Sequence, residues 1–172
     1  MVKMNIINKP EVSRIIMLLY KVLVIFIIAV AVFFFNAALF TPMGIIGIVA
    51  STASALVTVI MLLILGSLYR TRYILTDQDL IVNTTKLIGG GKTIPLKTVK
   101  SVEKTMIPFG VKLFGASFHG GYYHIPSLGR TFLCITNFSD GLLIKTSHRN
   151  YIITPSNPLN FKETIKEKIK NL

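Results

Sequence analysis

Chemistry in this chain would have to start from three histidines, one cysteine, a glycine-lysine-threonine triplet and a large surplus of lysine and arginine. His119 and His124 flank residues 120–123, which read as a glycine turn, and His148 stands apart. A structural zinc site needs four converging ligands and a catalytic one three. No third ligand is indicated here, because the nearest acids, Glu103 and Asp140, are well away in sequence, so no metal site is expected. Gly91-Lys92-Thr93 matches the tail of a phosphate-binding loop, but that motif needs a further glycine where Lys86 stands, and Pro95 falls where its helix should begin. The triplet reads instead as a hairpin tip. Ser117, Ser127 and Ser147 lack the context of a nucleophile elbow. Of the carboxylates beyond residue 68, all but Glu103 (Asp77, Asp79, Asp140, Glu163 and Glu167) fall in expected turns or on a terminal helix, leaving no acid/base pair. The expectation is a protein without catalytic residues or a cofactor. Cys134 has no partner for an internal disulfide and sits in a strand-like run, as a small buried hydrophobe in a reducing compartment would.

What the sequence does supply is positive charge. Its 19 Lys and Arg against 7 Asp and Glu give a net charge of +12, and 15 basic against 6 acidic residues follow Leu68. Arg70, Arg72, Lys97, Lys100, Lys104 and Lys112 form the set expected to face anionic phospholipid head groups, each contributing about 1 kcal/mol near such a surface. Nucleic acid is the other available polyanion, and the elements that position these cations argue against it.

Those elements are two apolar runs without a charged residue, Val22 to Phe40 and Gly44 to Leu68, separated by Thr41, Pro42 and Met43. Roughly 20 helical residues cross a bilayer core of about 30 Å. Backbone in hydrocarbon must satisfy its own hydrogen bonds, so the runs are expected to form an antiparallel transmembrane hairpin over residues 22–68. Lys3, Lys9, Arg14 and Lys21 precede it and Arg70 and Arg72 follow, while the connecting turn carries no charge. The positive-inside rule then places both termini in the cytoplasm of a multi-pass plasma-membrane protein. Residues 1–21 form a cytoplasmic segment in which Glu11 to Tyr20 reads as an interfacial helix running into the first span. Asn36 reads as a residue of the outer interface, or as an interhelical hydrogen-bond partner. Gly47, Ser51 and Ala55 build a small-residue face for helix packing, filled by the sister span or by a second copy of the chain.

From residue 69 to 172 short apolar runs alternate with turn residues. Tyr73–Leu75 and Leu80–Thr84 read as a hairpin and Lys92–Leu96 as an edge or irregular strand because of Pro95. A turn over Lys97–Lys100 leads to a strand over Ser101–Met106, and an irregular, bulged pair is expected within Ile107–Leu128. Gly129–Thr136, Gly141–Thr146 and Asn150–Thr154, joined by the short links Asn137–Asp140 and Ser147–Arg149, read as an antiparallel meander. Ser156 or Asn157 caps a final helix with Pro158 in its first turn and Phe161, Ile165, Ile169 and Leu172 along one face. Its lysine-rich opposite face reads as solvated.

About seven strands closed by one amphipathic helix is the element order of a pleckstrin-homology-like barrel. The stretch from Tyr69 resembles the PH-like domains attached to membrane helices in bacterial and archaeal proteins. Tyr73-Ile74-Leu75-Thr76 with Leu80-Ile81-Val82 carries the resemblance, as do Ile94-Pro95-Leu96 with Val99 and Ser101-Val102-Glu103. So do Phe114-Gly115-Ala116-Ser117 with Gly120-Gly121-Tyr122, and Tyr151-Ile152-Ile153-Thr154-Pro155 before Asn157-Pro158 and Phe161. The resemblance implies a two-helix transmembrane hairpin plus a cytoplasmic PH-like barrel or sandwich acting as a binding or assembly module, and it names no ligand. The expected function is a membrane-anchored module that sets its basic face toward anionic lipid and docks a protein partner or itself. The alternatives are an accessory or regulatory subunit recognised through its transmembrane helices and, third, an enzyme acting on membrane lipids.

Overall fold

The computed structural model describes residues 6–10, 12–42, 44–115, 117–138 and 140–172. Lys3 of the N-terminal basic set, Glu11 of the expected interfacial helix, Met43 of the hairpin turn, Ala116 of the family resemblance and Ser139 of an expected link lie outside the described residues. The chain divides into two compact units, Arg14–Gly66 and Met1–Ser13 with Ser67–Leu172.

The first unit is made of two helices, α1 (Arg14–Phe40) and the greater part of α2 (Gly44–Arg70), each of 27 residues. At 1.5 Å per residue each is about 40 Å long, and both are long and apolar enough to cross a membrane. As expected of a helix that runs into the first apolar run, the residues from Arg14 to Tyr20 are the first turns of α1. Four polar side chains bond to their own helix: Asn36 donates to the Val32 carbonyl, Thr52 to Ile48, Ser54 to Ala50 and Thr58 to Ser54. Gly47 is buried where α2 meets α1, since a Cβ there would lie 2.7 Å from both the Ala38 Cβ and the Phe34 carbonyl oxygen. Ser51 is half-buried and Ala55 exposed.

In the second unit, strand β1 (Ile6–Asn8) precedes the helices and the other strands follow them. Residues Arg72–Leu75 (β2), Asp79–Asn83 (β3) and Lys92–Pro95 (β4) join β1 in an antiparallel four-stranded sheet in chain order. β1 pairs Ile6 with Leu75 and Asn8 with Tyr73, so this sheet is completed by chain from both ends of the helical pair. Further bonds hold the N-terminal segment: the Ser156 backbone N–H donates to Asn8 Oδ1 at 3.1 Å, its hydroxyl to the same oxygen at 3.4 Å, and Ser13 N–H to the Thr136 carbonyl at 2.9 Å. Alternation along β2 and β3 turns Tyr73, Leu75, Leu80 and Val82 inward and is the period-two signal expected of half-buried strands. β4 pairs with β3 alone, which suits the edge position expected from Pro95.

The second sheet holds β5 (Val99–Thr105), β6 (Val111–Phe114), β7 (Gly120–Ile125), β8 (Gly129–Cys134), β9 (Gly141–Thr146) and β10 (Asn150–Ile153), in the spatial order β5-β9-β10-β8-β7-β6. The bulge expected between Ile107 and Leu128 lies in β6, between Lys112 and Phe114. The expected meander of the last three strands is corrected. β10 pairs antiparallel with β9 but parallel with β8, pairing Tyr151 with Phe132, so β10 lies between them. Parallel neighbours need a crossover. Here β9 supplies it, the chain running past the site of β10, returning as β9 and turning at Thr146–Arg149, where Thr146 Oγ1 donates to the Arg149 carbonyl at 2.7 Å. The apolar Ile152 and Ile153 thereby gain the central position.

Helix α3 (Pro158–Lys170) closes the unit against β5. Asn157 caps it, accepting the Asn160 N–H at 3.1 Å, and Phe161 and Ile165 are buried, whereas Leu172 is exposed. In the core the Tyr73 hydroxyl bridges the two sheets. Tyr73 Oη donates to the Cys134 carbonyl at 3.1 Å and accepts the Thr154 N–H at 3.2 Å. Burial raises the pKa of this phenol well above its ordinary value, so it stays neutral and donates. Tyr73→Phe should cost about 1–3 kcal/mol by orphaning the buried Thr154 N–H, read as a lower melting temperature with the circular dichroism spectrum unchanged. Gly47→Leu should cost about 1–3 kcal/mol by forcing α1 and α2 apart, measured as loss of thermal stability in neutral detergent, while Ala55→Leu should have little effect.

Candidate functional site

The cations singled out in the sequence are distributed over several elements. Arg70 ends α2 and is exposed. Arg72, on β2, donates through Nη1 to the carbonyls of Tyr69 at 2.8 Å and Thr71 at 2.7 Å, covering acceptors left open at the helix end. Lys97 is exposed in a 3-10 turn over Leu96–Thr98, and Lys100 is exposed on the adjoining β5. Lys104, further along β5, pairs with Asp140 at 2.9 Å. Lys112 is on β6, half-buried beneath the rings of Phe118 and Tyr123 and donating to the carbonyls of Ser117 and Gly120, and this burial lowers its pKa. β5 and β6 are the two edges of the six-stranded sheet, on the order of 24 Å apart at about 4.8 Å per strand step. Lys97 and Lys100 therefore belong together and Lys112 does not join them. An open groove of about 410 Å³ beside β5 adds Lys166 and Lys170 of α3 to Lys100.

At the opposite edge the side chains are apolar. Phe109 is 99% exposed and Phe118 83%, with Met106, Val111 and Phe114 also exposed on β6 and its flanking loops. Phe109 and Phe118 share an open hollow of about 390 Å³ with Tyr123 and Phe138. An edge strand with free backbone groups and apolar side chains is a surface on which another chain can pair.

A third arrangement escaped the sequence reading. Tyr122 on β7, Phe132 on β8 and Tyr151 on β10 form a ladder across one face of the sheet, with ring centres 5.4 Å and 6.2 Å apart. Over it stand Lys92 of β4, Arg130 of β8 and Arg149 of the β9–β10 turn, 5.5, 5.0 and 5.5 Å from the Tyr122 ring centre. These residues are far apart in sequence, and only the parallel placement of β10 beside β8 brings Arg149 to Arg130. The one available signal was Lys92, within the rejected Gly91-Lys92-Thr93 match. The loop before it is not merely a hairpin tip: residues 86–88 form a 3-10 turn that buries Ile88, and Gly120 carries no Cβ because one would strike the Ile88 carbonyl.

Of the histidines, His119 is buried and His124 exposed on β7. Cys134 is fully buried, and this burial pushes its thiol up to about 12.

A four-stranded and a six-stranded sheet closed by a C-terminal helix is the PH-like sandwich, and the family model described as the bacterial PH domain matches residues 71–169. The chain belongs to the bacterial PH domain family. Among curated proteins and solved structures nothing matches it. Its PH domain begins directly after α2 and carries β1 from in front of α1 as an additional strand of the first sheet. PH domains are in general binding modules, and this one accompanies two helices suited to membrane insertion.

Proposed function

We propose that this protein is a membrane-anchored PH module that rests a basic surface on anionic lipid and docks a protein partner or a second copy of itself, with no catalytic step of its own. The observation that carries the reading is the pairing of β1 with β2. Strands on either side of the helical pair complete one sheet, which supports a topology in which both ends of the pair emerge on the same face of a membrane, as an even number of spans requires. The basic residues flanking the spans support the cytoplasm as that face, in a protein of the plasma membrane. Because β2 starts directly after α2, the domain is tethered close to the bilayer and weak contacts suffice to orient it. Lys97 and Lys100, with Lys166 and Lys170 beside Lys100, supply the charge for lipid, together with Arg70 at the helix end. The apolar β6 edge supplies the docking surface for protein.

Two measurements test this reading on the full chain. With native Cys134 buried, an impermeant maleimide should label Thr41→Cys in intact cells and Leu172→Cys only after permeabilisation; labelling of Leu172→Cys in intact cells would reverse the topology. In nanodiscs, hydrogen exchange at the start of β5 should slow when anionic lipid replaces neutral lipid, recover as salt is raised, and be insensitive to lipid in Lys97→Glu/Lys100→Glu. Equal exchange in neutral and anionic discs would show this face to be merely solvated.

A further inference from the structure

We infer that the cation cluster over Tyr122 is a binding site for a phosphomonoester group. Lys92, Arg130 and Arg149 come from three separate segments, and each stands within 5.5 Å of the same ring centre. Three positive groups gathered this closely repel one another, and none of them has a carboxylate within ion-pair distance among the described residues. The acids with ion pairs are engaged elsewhere: Asp77 with Lys168, Glu103 with Lys145, Asp140 with Lys104 and Glu163 with Lys162 and Lys166. The negative face of the Tyr122 ring offsets part of the repulsion, and an anion would offset the rest.

The cluster is also pre-organised. Arg149 is fixed at both ends, its backbone N–H and carbonyl tied to Thr146 Oγ1 and its Nη1 donating to Tyr122 Oη at 2.9 Å. Its remaining N–H donors, with the guanidinium of Arg130, form the planar forks that match phosphate oxygens, and Lys92 adds a point charge. Tyr122 also borders a neighbouring hollow of about 220 Å³, lined by Lys86, Gly89, Gly90, Phe114, Gly115 and Gly121 and by none of the three cations. Glycine keeps that hollow narrow and open to backbone: Gly121, at φ 117°, has no room for a Cβ against the Phe114 carbonyl. The charge gathered here suits a phosphate near −2 better than a diester or a carboxylate. The site shares no residue with the lipid-facing set proposed above and stands without it.

The phosphate could belong to a lipid or to a soluble metabolite, and two arms separate these sources on the full chain in neutral detergent. Calorimetry with glycerol 3-phosphate tests the soluble source. Native mass spectrometry with phosphatidic acid, against phosphatidylcholine as reference, tests the lipid source. Binding in either arm should fall about tenfold or more in Arg130→Gln and in Arg149→Gln, several-fold in Tyr122→Phe, which keeps the ring and frees Arg149, and not in Lys162→Gln, which removes equal charge elsewhere. Both arginines are exposed, and unchanged melting temperatures of the variants would separate lost binding from lost folding. Retention of phosphatidic acid alone, weakened in the arginine variants, assigns the site to a head group, and binding of glycerol 3-phosphate weakened in the same variants assigns it to a soluble phosphomonoester. Absence of binding in both arms, binding unchanged in the arginine variants, or losses in Lys162→Gln equal to those in the arginine variants would overturn the inference.

Discussion

The pairing of β1 with β2 is the constraint on which the rest of this protein depends. It requires chain from before α1 and chain from after α2 to meet in one sheet, with Asn8 and Ser13 adding hydrogen bonds to Ser156 and Thr136. In effect two apolar helices are inserted into a folded domain between its first two strands. A bilayer tolerates this only if the inserted chain returns to the face it left, which a two-helix hairpin does and a single span cannot. The same pairing gives the first sheet its fourth strand and covers the outer side of β2.

Around that constraint the domain separates its surfaces by chemistry. One edge of the larger sheet, at β5, carries exposed lysines and is flanked by the lysines of α3. The other, at β6, carries exposed aromatic and aliphatic side chains. Between them the two sheets are joined by the Tyr73 hydroxyl, whose two buried partners belong to β8 and to the chain just beyond β10. A buried donor–acceptor bridge of this kind stabilises one relative placement of the sheets, because any slip would leave polar backbone unpaired in an apolar core. The lysine-bearing edge, the apolar edge and the cations over Tyr122 are held by that core.

Much of this was legible because it is local. The two spans follow from composition and length, since a run of charge-free apolar residues beside a lone proline has few other outcomes in a short chain. The final helix announces itself through Asn157, Pro158, Phe161 and Ile165, all within a few residues of one another. The hairpin of β2 and β3 is written in a period-two pattern and a Thr-Asp-Gln-Asp turn, in which Thr76 Oγ1 accepts the Asp79 N–H. β1 was not legible, because Ile6 and Ile7 are too few to establish a period.

Apart from β1, sequence alone determined which segments are helix, which are strand, and that the domain is strongly basic, for these depend on side-chain type and on spacing along a single element. Only the tertiary structure decided which strands are neighbours. β8 and β9 are joined by a short link and would pair if distance along the chain ruled, yet β10 comes between them because its apolar Ile152 and Ile153 are better buried at the centre of the sheet than at its edge. That choice sets Arg149 next to Arg130 over Tyr122 and leaves Lys100 and Lys112 at opposite edges. Charge can be counted from a sequence, but where it converges depends on strand order, which is settled by burial of the whole sheet rather than by any one segment.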